Sequence, residues 1–245
     1  MQHSINPKNR LVHSLLRSAG IQASRISPYT NDQAALAAML KHSGVDLILD
    51  IGANIGQYAK ERFATGYTGR IVSFEPLSGP RAILFREAAG YSNWDVAEHC
   101  ALGDHDGSVT LHIAEDSEAS SVLKATKSHL QYSSHAAEIG TEVVAMARLD
   151  RVAQPFLSNS RAPFLKIDVQ GFEEQVLQGA TMILPKLVGL QIELSLVAMY
   201  DGQKIFPEML SMLNGMGFTL HRMIPAWIEQ KTGRWLQADG IFFRR

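Results

Sequence analysis

In the first hundred residues of the chain, two hydrophobic patterns alternate, one typical of strands and one typical of helices. Short apolar runs, which suit buried strands, occur at Leu47–Ile51, Arg70–Phe74 and Trp94–Ala101. Between them, at Gly56–Ala64 and Gly79–Ala89, apolar residues stand three and four positions apart, as on one face of a helix. Strands that alternate with helices predict an α/β fold whose mostly parallel sheet carries helices on both faces.

The same alternation continues toward the C-terminus, where the strand-like segments are "PFLKIDV", "VGLQIEL", "FTLHRMI" and "GIFFR". Helical spacing returns at Glu173–Ala180 and Phe206–Met216. In "WIEQKTGRWLQ" the residues Lys-Thr-Gly separate two strand-like flanks, which predicts a hairpin. The last strand, Gly240–Phe243, is therefore predicted to run antiparallel to its neighbour.

Residues 1–45 precede this pattern and are predicted to form an N-terminal helical extension to a domain of residues 46–245. Apolar residues at helical spacing predict one amphipathic helix within the first twenty residues. A second helix is predicted in "TNDQAALAAMLKH", where Thr30 and Gln33 have the spacing of a capping box.

Residues 105–149 interrupt the alternation. A strand-like run, "SVTLHIA", opens this insertion and another, "TEVVAMARLD", closes it. The polar, Ser-rich middle is long for a structureless connection. It is predicted to be either a lid that binds the acceptor substrate or a plain surface insertion.

The composition narrows the classes of function. The 245 residues are 46% hydrophobic and 19% charged, which is ordinary for a soluble globular domain with one core. A net charge of −1 supplies no broad positive surface for nucleic acid or an anionic membrane. Cys100 is the only cysteine, and no apolar run approaches the roughly eighteen residues of a spanning helix, so a cytoplasmic protein is expected.

The stretch "LILDIGANIG" joins a buried strand to a turn that contains Gly52 and Gly56. Glycine lets the backbone approach a ligand closely, and the following helix N-terminus presents free N–H groups. Asn54 stands where the dinucleotide fingerprint has its second glycine. An acid at Asp50 repels a pyrophosphate but suits a cationic ligand, such as one with an ammonium and a sulfonium.

A second acidic position follows about twenty residues later, where Glu75 and Pro76 end the next strand in "IVSFEP". Folds of this kind place a carboxylate there to accept hydrogen bonds from two ribose hydroxyls. Together the two motifs predict that the site binds a cofactor with a nucleoside part. The alternative is that the glycine turn serves only for packing and binds no ligand.

Four motifs in this order, "DIGANIG", "FEP", "ALGD" and "LKIDVQGFEEQVLQGA", resemble the FkbM-type family of S-adenosylmethionine-dependent methyltransferases. The resemblance covers about Asp46–Ser195. It implies a Rossmann-like fold with a seven-strand sheet and methylation of hydroxyls on sugars, polyketides or other secondary metabolites. Two positions depart from the family pattern: Gln170 replaces an expected glutamate, and Arg148 replaces an expected threonine.

The resemblance also implies roles for individual residues. Those expected at the methionine side of S-adenosylmethionine are Asp50, Gly52, Asn54 and Gly56. Glu75, beside Pro76, is expected to hold the ribose. Leu102, Gly103 and Asp104 are expected at the adenine, with Asp104 accepting from its exocyclic amine. Because Asp104 lies in "GDHDG", a plain turn residue is an equal alternative.

Methyl transfer to an alcohol requires a group that takes the hydroxyl proton or stabilises its charge. Alternation along "PFLKIDV" places Lys166 and Asp168 on one side, with Asp168 at the carboxyl end, where open α/β sheets bind ligands. Asp168 is the candidate base, or a ligand of Mg²⁺ or Mn²⁺. The structural alternative is that Asp168 caps a helix or forms an ion pair with Lys166. Glu193, which ends "LQIEL", is the second candidate.

Several other side chains have open interpretations. Glu173 and Glu174 begin a helix, where acids favour the dipole, so structural roles are predicted. His129 is a conceivable base and Trp227 a conceivable stacking surface for a sugar, with plain lining and core packing as the alternatives. The histidines show no H-E-x-x-H motif, so no zinc site is predicted.

The sequence therefore predicts an S-adenosylmethionine-dependent O-methyltransferase that acts on a hydroxyl of a small molecule. A nicotinamide-dependent oxidoreductase is an alternative, because Glu75 suits either ribose, although Asp50 and Asn54 count against it. A non-catalytic nucleotide-binding module is favoured only by Gln170. A nucleic-acid methyltransferase is disfavoured, because "DVQG" differs from the motif used on exocyclic amines and no basic stripe exists.

Overall fold

The computed structural model describes residues 14–21 and 23–244. Most of the helix predicted within the first twenty residues lies outside these ranges, and residues 14–18 are helical. The strands are β1 (Leu47–Ile51), β2 (Arg70–Phe74), β3 (Trp94–Val96), β4 (Ala101–Gly103), β5 (Gly107–Ala114), β6 (Glu138–Arg148), β7 (Pro163–Ile167), β8 (Gly189–Ser195), β9 (Phe218–Ile228) and β10 (Trp235–Arg244). The α-helices are α1 (Asp32–His42), α2 (Gln57–Ala64), α3 (Ser78–Ala88), α4 (Lys127–Tyr132), α5 (Leu149–Val152), α6 (Gln154–Leu157), α7 (Glu173–Gln178) and α8 (Phe206–Gly215).

Seven strands form the main sheet in the order β3-β2-β1-β7-β8-β10-β9. All neighbours in it are parallel except β10, which runs antiparallel to both β8 and β9. This topology confirms the predicted Rossmann-like α/β fold with a last antiparallel strand. The hairpin predicted around Lys-Thr-Gly is also confirmed, since it joins β9 to β10.

The strand order reverses at β1, which pairs with β2 on one side and β7 on the other. In open α/β sheets such a reversal leaves a crevice beyond the carboxyl ends of the strands, because the connections leave toward opposite faces. The turns that follow β1, β2 and β7 therefore meet at one edge of the sheet.

Helix α1 belongs to the core rather than to a separate extension. Its Leu36 and Leu40 are buried in one cluster with Ile48 of β1 and Ile241 of β10. The capping prediction is corrected by one position, because the side chain of Asn31 accepts the backbone N–H at the start of α1. The second predicted helix therefore packs on the sheet formed by residues 46–245.

The predicted strand Trp94–Ala101 divides into two. Ala97 follows β3, and the exposed residues Glu98 and His99 interrupt the apolar run before β4 begins. Strand β4 leaves the main sheet and joins a second, three-stranded sheet in the order β4-β6-β5. The predicted insertion supplies this sheet, since β5 and β6 pair antiparallel with each other.

Candidate active site

A cavity of about 900 Å³ lies beyond the carboxyl ends of β1, β2, β7 and β8. Its walls come from the turns after β1 and β7, from the last two strands, and from residues 116–133 of the insertion. The connections that the sheet topology brings together therefore enclose one space. Its volume is within the usual range for small-molecule sites.

Gly52 opens the turn after β1 and has a left-handed backbone, with φ of +76°. A Cβ atom there would lie 1.7 Å from the carbonyl oxygen of Asp168, so only glycine fits. The Gly52 carbonyl accepts a hydrogen bond from Lys166 Nζ at 3.0 Å. These contacts hold the turns after β1 and β7 against each other.

Of the four residues expected at the methionine side, Asp50 and Gly56 do not line the cavity and instead stabilise the turn. Asp50 is fully buried and its carboxylate accepts from Ser73 Oγ at 2.9 Å and pairs with Lys166 Nζ at 3.3 Å. At Gly56, where φ is +88°, a Cβ would lie 2.5 Å from the ring of Trp94. The glycine at this position is explained by packing, whereas Gly52 and Asn54 line the cavity.

Asn54 is held in a left-handed conformation, with φ of +48°, and is buried. Its backbone N–H donates to Glu75 Oε2 at 2.8 Å, and its side-chain Nδ2 donates to Ser117 Oγ at 3.2 Å. Asn54 therefore connects the first turn both to the end of β2 and to the insertion. Asparagine tolerates this backbone region better than most residues do.

Glu75 lies in the cavity wall at the end of β2, beside Pro76. Its two oxygens accept backbone N–H groups of Asn54 and Leu77, both at 2.8 Å. Burial raises its pKa to about 7, although these two hydrogen bonds act in the opposite direction. Each oxygen retains a lone pair for a ligand hydroxyl.

Of the three residues expected at the adenine, the structure brings only Leu102 to the cavity wall. Gly103 packs against α7 instead, since a Cβ built on Gly179 would lie 1.9 Å from the Gly103 carbonyl oxygen. The side chain of Asp104 pairs with His105 Nδ1 at 2.8 Å, outside the cavity. The reason is that β4 turns into the second sheet and carries the residues after Leu102 away from the crevice.

Asp168 follows β7 and faces the cavity with about a third of its side chain exposed. Its Oδ2 lies 3.7 Å from Lys166 Nζ, and its Oδ1 accepts from Gln170 Nε2 at 2.8 Å. Burial alone would lower the pKa of Lys166, but the carboxylates of Asp50 and Asp168 outweigh it and raise that pKa. A permanent cation therefore stands beside Asp168.

Gln170 joins the two predicted catalytic carboxylates. Its Nε2 also donates to Glu193 Oε2 at 3.1 Å, while its Oε1 accepts from Tyr200 Oη at 3.0 Å. Its backbone is left-handed, with φ of +56°. Burial and the nearby carboxylate of Asp168 raise the pKa of Glu193 well above its usual range. This bridge places the two acids together at the carboxyl ends of β7 and β8.

Two cavity residues were missed by the sequence analysis. Gln237 donates to Glu193 Oε2 at 2.8 Å, and Asp239 lies directly opposite Glu193 in the pairing of β10 with β8. Burial raises the pKa of Asp239 to about 6. Gln237 and Asp239 stand two positions apart in "LQADG", and residues at this spacing share one face of a strand. They were missed because the last strand was predicted to begin only at Gly240.

Aromatic side chains close the far side of the cavity. The ring of His129 on α4 meets Tyr200 edge to face at 4.9 Å and lies 5.5 Å from the ring of Trp227. Tyr132 packs against Trp227 at 6.3 Å. Three of the four, His129, Tyr132 and Trp227, line the cavity.

A comparison with known protein families identifies the family of this chain. The profile described as the methyltransferase FkbM domain matches residues 50–220, which is well over half of the chain. The chain belongs to this family. Membership supports S-adenosylmethionine-dependent methyl transfer and confirms the resemblance read from the four motifs. Among proteins with curated functions, none matches the chain.

Solved methyltransferase structures are similar to this FkbM-type protein at low sequence identity. An FkbM methyltransferase from Methylobacillus flagellatus is 13% identical, with 98% of this chain and 71% of that chain covered and a TM-score of 0.48. Magnesium protoporphyrin IX methyltransferase from Synechocystis with bound S-adenosylmethionine is 10% identical, with both chains fully covered and a TM-score of 0.46. A putative RNA methyltransferase from Pyrococcus horikoshii is 11% identical, with 87% and 83% covered and a TM-score of 0.44.

The insertion of this FkbM-type protein is attached to both turns of the site. Ser117 contacts Asn54 in the first turn, and Ser121 Oγ donates to the backbone carbonyl of Gln170 in the second at 2.6 Å. Gln57 Nε2 donates to Glu118 Oε1 at 2.9 Å. The middle of the insertion thus forms part of the cavity wall, and its role as a lid stays a prediction.

Within the described part of the chain, no three His, Cys, Asp or Glu side chains are grouped so as to hold a metal ion. The prediction that Asp168 binds Mg²⁺ or Mn²⁺ therefore has no support in the structure. Among residues 14–21 and 23–244, no helix has the length and apolar character needed to cross a membrane.

Proposed function

We propose that this FkbM-type protein transfers a methyl group from S-adenosylmethionine to a hydroxyl of a small molecule, such as a sugar or a secondary metabolite. The observation that carries this proposal is the position of Asp168. Its partly exposed carboxylate opens into the same cavity as Gly52 and Glu75, at the end of the strand next to β1.

The cavity wall fits S-adenosylmethionine in several respects. Glu75 offers a free lone pair on each carboxylate oxygen, which suits two ribose hydroxyls. Leu102 and Leu77 provide an apolar surface next to it, suited to a base. The backbone at Gly52 comes close to the space where the methionine part would lie. When bound, this cofactor supplies a methyl group on a positively charged sulfur.

The protein's own contribution is to prepare the acceptor hydroxyl. An alcohol is a weak nucleophile until its proton is taken, and a positioned carboxylate performs this step. Lys166 and Gln170 hold Asp168 from two sides and leave part of its carboxylate open to the cavity. Glu193, linked to Asp168 through Gln170, is the second candidate for receiving the proton.

The enclosure favours a small acceptor. The insertion forms part of the cavity wall and is bonded to both turns, and this arrangement suits a small acceptor better than a polymer. A lid of this kind excludes water from the reacting groups.

The test begins with calorimetry of S-adenosylhomocysteine binding, for which we expect saturable binding at one site. Methyl-labelled S-adenosylmethionine is then incubated with a panel of hydroxylated glycosides and polyols and with matched amines and thiols. We expect label in an O-methyl product, identified by mass spectrometry. Product methylated only on nitrogen or sulfur would contradict the hydroxyl assignment, and absence of S-adenosylhomocysteine binding would contradict the cofactor.

A further inference from the structure

The cavity has two carboxylate groups in separate places along the sheet. Glu75 stands at the end of β2, whereas Glu193 and Asp239 stand on β8 and β10. Strand order places β8 three strand spacings from β2, which is roughly 14 Å at about 4.8 Å per spacing. Asp239 is one strand farther still. The pair on β8 and β10 therefore faces a different part of the bound molecules from the part that Glu75 faces.

This pair consists of two acidic side chains on neighbouring strands. Glu193 and Asp239 are directly opposed cross-strand neighbours, so their side chains share one face of the sheet. Burial raises the pKa of both, and the carboxylate of Asp168 adds to the effect. Opposed like charges are unfavourable. A cation between them would relieve the repulsion.

Lys166, the protein cation with the largest effect on Asp239, is already engaged. Lys166 Nζ donates to the Gly52 carbonyl at 3.0 Å and pairs with Asp50 at 3.3 Å. Both amide donors to Glu193, from Gln170 and Gln237, reach the same oxygen, Oε2. The other oxygen of Glu193 keeps its lone pairs for a ligand.

An independent observation on the insertion also points to a ligand. His129 lines the cavity and is only 3% exposed, yet its Nδ1 has no hydrogen-bond partner among the described residues. Burial lowers the pKa of His129, so the ring is neutral and one of its nitrogens accepts hydrogen bonds. The indole of Trp227 beside it is the aromatic surface that best attracts a cation.

We propose that the methyl acceptor is a hydroxy compound with a protonated amine, and that this ammonium lies against Asp239 and Glu193 beneath the wall of His129 and Trp227. The inference rests on the proposed function, because it assigns the acceptor of the same site. An acceptor with a phosphate would be repelled by this surface, since among the described residues five further acidic side chains line the cavity against one lysine: Glu61, Glu75, Asp116, Glu118 and Asp168.

The experiment measures binding of matched probes to protein saturated with S-adenosylhomocysteine, by calorimetry. The probes are methyl 2-amino-2-deoxyglucoside, methyl glucoside and methyl glucoside 6-phosphate, with trans-2-aminocyclohexanol and trans-cyclohexane-1,2-diol as a second scaffold. We expect an amine to bind at least tenfold more tightly than its matched alcohol on one scaffold, and the phosphate not to bind. In Asp239→Asn the preference should fall below threefold, with S-adenosylhomocysteine affinity within twofold of wild type.

Asp201→Asn is the matched control, because Asp201 is exposed and lies outside the cavity wall. Equal or tighter binding of the alcohols, binding of no amine, or a preference that persists in Asp239→Asn would overturn the inference. So would Mg²⁺ binding that is lost in Asp239→Asn, because the carboxylates would then serve a metal. Failure of S-adenosylhomocysteine itself to bind would instead count against the proposed function.

Discussion

The turns after β1 and β7 are built alike and differ in what holds them. Each contains one non-glycine residue with a left-handed backbone, Asn54 in the first and Gln170 in the second. Each also rests on a buried glutamate, Glu75 or Glu173, that accepts backbone N–H groups and whose pKa is raised to about 7 by burial.

The difference lies in the remaining contacts. In the first turn the backbone N–H groups of Gly52 and Ala53 both donate to the carbonyl of Phe74, at 3.0 and 3.1 Å. In the second, the side chain of Gln170 makes the connections to distant acids. The first turn is thus held mainly by backbone hydrogen bonds to β2, whereas the second depends on the side chain of Gln170 and on acids from distant elements.

The variant Asp168→Asn should have the largest effect that distinguishes the second turn from the first. It keeps the shape of the side chain and removes the group that takes the proton, so the rate of methyl transfer should fall by about 10²–10⁴. The measurement is single-turnover transfer of labelled methyl to an acceptor found in the panel. Affinity for S-adenosylhomocysteine and the melting temperature should change little. A near-normal rate would move the assignment to Glu193.

The close approach of the two turns is tested by Gly52→Ala. A Cβ at Gly52 would lie 1.7 Å from the Asp168 carbonyl oxygen, so the turns must separate, and we expect a loss of about 4 kcal/mol or more in unfolding free energy. The matched control is Gly66→Ala, where φ is +90° but no atom lies within 4 Å. It should cost only about 1–2 kcal/mol, the backbone strain alone. Equal losses in urea unfolding would show that strain, and not the approach, matters.

The cofactor side is tested by Glu75→Gln. The glutamine amide has one acceptor oxygen, whereas the carboxylate has two. The variant therefore weakens the hydrogen bonds to the ribose hydroxyls, each of which is worth about 1.5–3 kcal/mol when the acceptor is charged. We expect S-adenosylhomocysteine to bind roughly 10–100-fold more weakly in calorimetry. Asp104→Asn serves as the control, because the structure places Asp104 outside the cavity, and its affinity should stay within twofold. A large loss in Asp104→Asn would restore the adenine assignment and contradict the geometry.

The sequence revealed much more of the first turn than of the second. Strands β1 and β2 have the predicted bounds because each is a short buried run with a clear break at both ends. The strand predicted at Trp94–Ala101 failed because two exposed polar residues inside it let the chain change sheets, and that change also misplaced Asp104. The surroundings of Glu193 were only partly predicted, since Gln170 and Gln237 reach it from the turn after β7 and from β10, which only the folded sheet brings together.

The buried glutamate of the second turn predicts a pH dependence. The pKa of Glu173 is raised from 4.5 to about 7 by burial, so the folded protein holds this proton where the unfolded chain releases it. Stability from this group is therefore full below about pH 4.5 and is lost as the pH rises through about 7. Glu173→Gln keeps the acceptor for the N–H groups of Val169 and Gly171 and cannot ionise. In thermal unfolding it should be close to wild type at pH 5 and about 2–3 kcal/mol more stable at pH 8. A variant less stable at both pH values would show that the charge itself is needed.

The smallest expected effect distinguishes the two left-handed residues. Asn54→Gly and Gln170→Gly both relieve a strained backbone, which favours each variant by about 1 kcal/mol. Asn54→Gly gives up only the contact with Ser117, so urea unfolding should show a change within about 0.5 kcal/mol of zero. Gln170→Gly also gives up the bridge from Asp168 to Glu193 and the bond from Tyr200, and should be less stable by about 1–2 kcal/mol. If both variants were equally stable, the side chain of Gln170 would not hold the second turn. The contrast between a turn held by its backbone and one held by side chains would then fail, because the same local strain would account for both.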